Sequence, residues 1–197
     1  CKFQMIQPEH KIIIDTIRYH YENYGGGIIP KIMKGALTEV SMYGVDEYTG
    51  LETKIRPDAL NFAENIGVNA VISFKTARAD SLGKFAYDCA RLKYEVAEGY
   101  YQNVASQVSG RKFNATIMIF LQTVPPYQPA VLFWTPDAIE VGKYKSTIAL
   151  SIIKECRERN FYPGFDAKAP AGNSGIFEFD LPQWANKEEH PTSLEDD

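Results

Sequence analysis

The run Asn114 to Gln122 (Asn-Ala-Thr-Ile-Met-Ile-Phe-Leu-Gln) constrains the fold more than any other stretch of the chain. It is nearly continuous in apolar side chains, with no alternation between a wet and a dry face. A strand of that kind suits the centre of a sheet covered on both faces, which requires helices on each side. The rest of the chain supplies them. Pro8 to Tyr24 places Ile13, Ile17, Tyr21 and Tyr24 at helical spacing, and Gly25-Gly26-Gly27 ends the run. A long helix is predicted from about Ser81 to Ala105, with Ser81 as its N-cap and Leu82, Phe85, Cys89, Leu92 and Val96 as its apolar stripe. Thr135-Pro136-Asp137 supply a cap, a first-turn proline and an acidic first turn. The helix they open is predicted to reach about Asn160, with a break near Gly142.

The other strands are shorter. Leu37 to Tyr43 sets Thr38, Val40 and Met42 against Leu37, Glu39 and Ser41, the period of a half-buried strand. Asp46 to Gly50 is a turn, and Leu51 to Leu60 and Asn69 to Lys75 are two further strands; all three are antiparallel if they form hairpins in chain order. A short helix is expected around Pro30 to Gly35, a strand at Ala130 to Trp134, and loops after Pro163. The 197 residues, 45% hydrophobic and 23% charged, fit one soluble domain with a sizeable core. The class this order predicts is α/β (α+β): a central mixed β-sheet flanked by helices.

No apolar run approaches the roughly 18 to 20 residues of a membrane span. Cys1, Cys89 and Cys156 are odd in number and widely spaced, which reads as free thiols in a reducing cytoplasm rather than zinc ligands or a disulfide framework. Opening at Cys1 rather than methionine reads as a fragment, although a processed lipoprotein also begins with cysteine. The net charge of −4 is concentrated at one end, because the last ten residues hold five acids and no Lys or Arg. Without that tail the chain carries 21 basic and 20 acidic residues. From Lys75 to Lys93 five basic residues face only Asp80 and Asp88, a local excess compatible with DNA contact near Lys75, Arg78 and Lys84.

Val71-Ile72-Ser73-Phe74-Lys75-Thr76 is the segment that bears on chemistry. Side chains two apart on a strand share a face, so Ser73 and Lys75 point the same way near its end. Asp58 closes the earlier run through Arg56-Pro57. Metal-dependent phosphodiester cleavage commonly needs an aspartate and a second acid around the cation, with a lysine beside the attacking water. Asp58 and Lys75 are in place; Ser73 holds the slot of the second acid. Glu95 and Glu98, one turn apart on the long helix, read as a solvated face shared with Arg91 and Lys93. Either of them could instead swing inward and stand in for the missing acid. Tyr87, Tyr94 and Tyr101 recur every seven residues, as packing positions do, and His10, His20 and His190 have no partners at ligand spacing.

At these residues the chain resembles the PD-(D/E)XK nucleases, and within them the exonuclease VIII-like branch of phage and prophage recombination exonucleases. The resemblance runs through Glu39-Val40-Ser41, Thr49-Gly50-Leu51, Lys54-Ile55-Arg56-Pro57-Asp58 and Phe74-Lys75-Thr76. It continues at Tyr94 and Tyr101, then at Tyr162-Pro163-Gly164-Phe165 and Leu181-Pro182-Gln183-Trp184-Ala185. It implies a restriction-endonuclease-like core over residues 1–185, followed by an acidic tail at 186–197. The implied activity is a 5′-to-3′ exonuclease that uses Mg²⁺ (or Mn²⁺) on double-stranded DNA ends and supplies single strands to an annealing protein. Glu39 and Asp58 would then be metal-site acids, the Phe74 carbonyl a further ligand, and Lys75 the residue that orients the water. Whether such a protein is a homo-oligomer stays open. The chain departs from the family at Ser73, at Ala97 where a glutamine is usual, and in lacking a histidine on an upstream helix, since His20 falls too late. The alternative these departures suggest is a nuclease-fold protein that binds DNA or a recombination partner without cutting.

Overall fold

A computed structural model describes residues 6–180. The motif Leu181 to Ala185 and the acidic tail lie outside the described residues. Two compact units are distinguished, residues 1–154 and 155–197.

The first unit is built on a five-stranded sheet of order β1-β4-β5-β6-β7, with β1 Leu37–Thr38, β4 Ala59–Asn61, β5 Ala70–Ala77, β6 Ala115–Gln122 and β7 Pro129–Phe133. Only the β5–β6 pair is parallel, in register from Ala70↔Ala115 to Ala77↔Gln122, so the sheet is mixed as expected. The β6 run is buried along nearly its whole length, which is why it carries no alternation. One face meets α1 Pro8–Asn23 and α2 Ile28–Met33 through Tyr21, Ile29, Ile32 and Met33 against Ile72, Ile117 and Ile119. The other face meets α4 Leu82–Leu92 and α5 Tyr94–Ser109. Phe85 and Cys89 pack on Met118 and Phe120, and Val104 and Ala105 pack on Val71 and Leu60. Helix α6 Pro136–Arg159 follows β7.

Three elements expected to be continuous are interrupted, each for a local reason. The predicted strand Leu37 to Tyr43 is broken at Glu39, whose φ of +56° is incompatible with an extended chain. Its halves become β1 and β2 Met42–Val45. The predicted strand Leu51 to Leu60 divides likewise into β3 Glu52–Ile55 and β4, because Pro57 lacks the N–H a continuous ladder needs. β2 and β3 pair with each other as a separate antiparallel hairpin, Tyr43 opposite Lys54, and a short helix, α3 Ala63–Ile66, joins β4 to β5. The long helix is two helices, interrupted where Lys93 takes φ +58°.

Helix α6, by contrast, runs unbroken through Gly142. That glycine is there for contact: a Cβ on it would lie 1.9 Å from the Glu95 carbonyl oxygen, and one on Gly99 would lie 2.5 Å from the Lys143 nitrogen. Paired glycines let α5 and α6 cross nearly backbone to backbone.

In the second unit, the Phe161 N–H donates to the Cys156 carbonyl at 3.0 Å and a single helical turn spans Asp166–Lys168. Phe161, Tyr162 and Phe165 are exposed.

Candidate functional site

The candidate site forms where the β4–β5 ladder stops. The last pair is Ala59↔Ile72, so beyond it the outward N–H of Phe74 has no strand partner. Asp58 Oδ2 accepts that N–H at 2.6 Å, which locks the half-buried aspartate against β5 and leaves its other oxygen for a ligand. Pro57, fully buried, fixes the turn that delivers Asp58 there.

On the next face of β5, Val71, Ser73 and Lys75 look toward α5. Glu98 comes down to meet them and is 1% exposed, as is Ser73. Lys75 Nζ stands 3.9 Å from Glu98 Oε1 and 5.2 Å from the centroid of the Tyr94 ring. Tyr94, Glu98, Tyr101, Gln102 and Ala105 share the inward stripe of α5, and the break at Lys93 sets its phase. Below the acid, Gln102 Nε2 donates to Thr116 Oγ1 at 3.1 Å, which ties α5 to β6.

The electrostatics follow from burial. Taking Glu98 out of water pushes its carboxyl pKa up, and the nearby Asp58 adds to the rise; Ser73 and Lys75 pull it down. Ser73 is thus close enough to favour the charged form, yet neither Ser73 Oγ nor Glu98 Oε2 has a hydrogen-bond partner. Tyr101 is raised as well, first by burial and then by the charges of Glu98 and Asp58. Asp58, Glu98, Lys75, Ser73 and Tyr101 therefore share one electrostatic neighbourhood.

Of the remaining candidates Glu39 borders this cluster, its charge also reaching Tyr101, and the others lie further away. Glu39 is exposed; its N–H donates to the Asp58 carbonyl at 3.1 Å, while its carboxylate turns to Arg56 Nε at 2.8 Å, on the rim. Glu95 faces α6, where Lys145 Nζ reaches it at 2.6 Å. Arg78 is exposed just past β5, and Lys84 lies in the first turn of α4, 3.9 Å from Asp80. Two features escaped sequence reasoning: the aromatic seat that Tyr94 provides for Lys75, and the burial of Glu98. The stripe Tyr94, Glu98, Tyr101, Gln102 and Ala105 was the available signal. A concavity of about 720 Å³, between α4, β7 and the start of α6, has mainly apolar walls such as Phe85, Leu132 and Val141; Glu95 lines it, and Asp58 and Glu98 do not.

What stands here suits a hard cation. The candidate donors are the Asp58 and Glu98 carboxylates and the Phe74 carbonyl, all oxygens, and Mg²⁺ typically takes one or two carboxylates while keeping several waters; the buried Cys89 thiol, its pKa pushed up to about 11 chiefly by burial, lies within electrostatic reach of Glu98 and Lys75. The buried, unpartnered Glu98 Oε2 is the strongest indication, since an orphaned buried oxygen is costly until something binds it. Among the described residues no group of three or more His, Cys, Asp and Glu side chains could hold a metal on its own. No described helix is long and apolar enough to cross a membrane.

No family model and no curated protein matches the chain. Among solved structures it is similar to a provisionally named exonuclease from Eubacterium rectale, with a TM-score of 0.56 and 15% identity. The match covers 79% of this chain and 57% of that one, so this chain spans little more than half of its relative's length. The likeness shows a common fold. A match to the protein SSO0001, at 19% identity over 70% of this chain and 74% of that one, has a TM-score of 0.37 and carries no argument.

Proposed function

We propose that this protein is a Mg²⁺-dependent exonuclease acting on double-stranded DNA ends, with Asp58 and Glu98 as its acidic pair and Lys75 as the residue that orients the attacking water. The observation that carries the reading is the buried Glu98 carboxylate. It sits against Lys75 and behind Ser73, on the side of β5 where the absent second acid would project. A charge so buried is rarely kept for stability alone, because desolvation opposes it. The likeness to a protein named as an exonuclease supports the same class.

In this reading Asp58, Glu98 and the Phe74 carbonyl hold the cation, which when bound supplies positive charge to the scissile phosphate. Lys75, seated on Tyr94 and held by Glu98, presents its ammonium to the water and to a non-bridging phosphate oxygen. Asp58 stays fixed through its bond from the Phe74 N–H. Tyr101, one turn from Glu98 on α5, lies within reach of the charges of both acids. Arg78 and Lys84 offer phosphate contacts next to the site. A phage-type recombination role, with a single-strand annealing partner taking the product, belongs to the same proposal.

Digestion of end-labelled linear duplex with Mg²⁺ tests it. Release of nucleotides by the parent and their loss in Lys75→Ala, Asp58→Asn and Glu98→Gln is the expected pattern. Ser73, and the lack of a three-ligand group among the described residues, favour one second reading, a DNA-binding nuclease fold that no longer cuts. Salt-sensitive duplex binding without any Mg²⁺- or Mn²⁺-dependent digestion would establish that reading instead.

A further inference from the structure

The hairpin β2–β3 has one face turned toward α5, where Thr53 is buried and a Cβ on Gly44 would lie 2.9 Å from Val108. Its other face is open. There Tyr43 is 64% exposed and lies opposite Lys54, whose Nζ sits 5.4 Å from the ring centroid. Arg56 follows two residues after Lys54 and so emerges on the same side. Its bonds to the Glu39 carboxylate and carbonyl both use Nε, which leaves the four Nη hydrogens facing outward for a ligand. Asp58 is two residues further along. Glu52, opposite Val45, ends the cationic strip on the side away from the site.

We infer that this open face, Tyr43 with Lys54 and Arg56, is a track for the unpaired end of a DNA strand leading to Asp58. The inference rests on the nuclease reading and adds the kind of substrate end it prefers. Three observations point to that occupant. Lys54 and Arg56 follow one another on one side of the chain, about 7 Å apart, as the cations of a groove that tracks a single backbone do. Tyr43 has one ring face toward Lys54 and the other in solvent, and an exposed aromatic ring among cations is what stacks unpaired bases irrespective of sequence. The strip is also continuous with the site: from Tyr43 and Lys54, through Arg56, the chain runs directly into Asp58. A fully paired duplex presents no base face to Tyr43, so the contact selects ends that are frayed or carry an overhang. The track orders the substrate rather than reacting with it, which makes Tyr43 a positioning residue.

The test is anisotropy titration, in EDTA so that nothing is cut, with a labelled blunt duplex and the same duplex bearing a four-nucleotide single-stranded extension. The variants are Tyr43→Ala, Tyr43→Phe and Lys54→Gln, all at exposed positions, with the parent's nuclease activity measured in parallel. The parent should bind the extended duplex more tightly. Tyr43→Ala should lose roughly 5- to 150-fold on the extended duplex and little on the blunt one, while Tyr43→Phe keeps most of the affinity. Lys54→Gln should flatten the dependence of log affinity on log salt by about 0.7. A parent that cuts DNA but binds both ends alike, or a Tyr43→Ala protein that binds the extension as the parent does, overturns the track and leaves the nuclease reading standing. A parent that neither binds nor cuts DNA removes both.

Discussion

Replacing Glu98 with glutamine should move activity and stability in opposite directions. The side chain is 1% exposed, so ionising it forfeits hydration worth several kcal/mol. Its ionic partner among the described residues, Lys75 Nζ at 3.9 Å, returns about 4 kcal/mol at an effective dielectric of 20. The raised pKa shows that burial prevails. Glutamine keeps the shape and removes the charge. Lys75 is not stranded by the change, since its side chain is 26% exposed and still rests on Tyr94. The variant should therefore gain on the order of 1 kcal/mol at pH 8 without added cation, or about 2 to 4 °C in Tm for a domain of this size. A carboxyl whose folded pKa is raised costs stability once pH exceeds its unfolded value, and it costs nothing below that value. The gain should hence shrink as the pH falls through 4.5, the ordinary glutamate value, and vanish below it, where Glu98 is protonated in both states. Nuclease activity should fall at least 10- to 100-fold, or roughly 1.4 to 2.8 kcal/mol of transition-state stabilisation. Thermal melts from pH 4 to 8, paired with duplex digestion, measure both quantities. A purely structural Glu98 would lose stability and leave the chemistry alone, and that result would refute the reasoning.

Three further outcomes follow from the same geometry. Ser73→Asp should lower stability by about 1 to 3 kcal/mol at pH 8, since two carboxylates forced together beside one lysine cannot both ionise comfortably. Combined with Glu98→Gln it should recover at least tenfold of the lost activity, as the digestion assay would show. Asp58→Asn keeps an acceptor for the Phe74 N–H, so melting should change by less than about 1 kcal/mol, whereas Mn²⁺ binding by calorimetry should vanish. Gly142→Ala places a methyl group where only 1.9 Å separates it from the Glu95 carbonyl oxygen, and should cost about 3 kcal/mol or more in a thermal melt.

The fold was legible wherever one residue's environment decided its type. The unbroken apolar run of β6 announced a strand covered on both faces, and the β-branched start of β5 announced its neighbour. Ser81 capped α4 as its position predicted, accepting from the Lys84 N–H at 3.3 Å. What could not be read were events that depend on partners distant in sequence. Glu39 and Lys93 adopt left-handed conformations with side chains that do not advertise them, so strands and helices that look continuous are divided. Gly142 resembles a helix breaker until the backbone of α5 is seen against it. At the site, Asp58 and Lys75 were visible because the turn and the strand end place them locally. Glu98 was legible only as an alternative, because Glu95, Arg91 and Lys93 surround it in sequence like a solvated face. The break at Lys93 sets the phase that turns its stripe of α5 inward.

The central claim is that Asp58 and Glu98 together hold a divalent cation beside Lys75. A crystal soaked in Mn²⁺ and measured at an anomalous wavelength tests it most directly. The account predicts one strong peak within inner-sphere distance of a carboxylate oxygen from each of Asp58 and Glu98, with the remaining positions filled by water. A peak bound by Glu39 or another acid without Glu98, or no peak near Asp58 at saturating Mn²⁺, would contradict it.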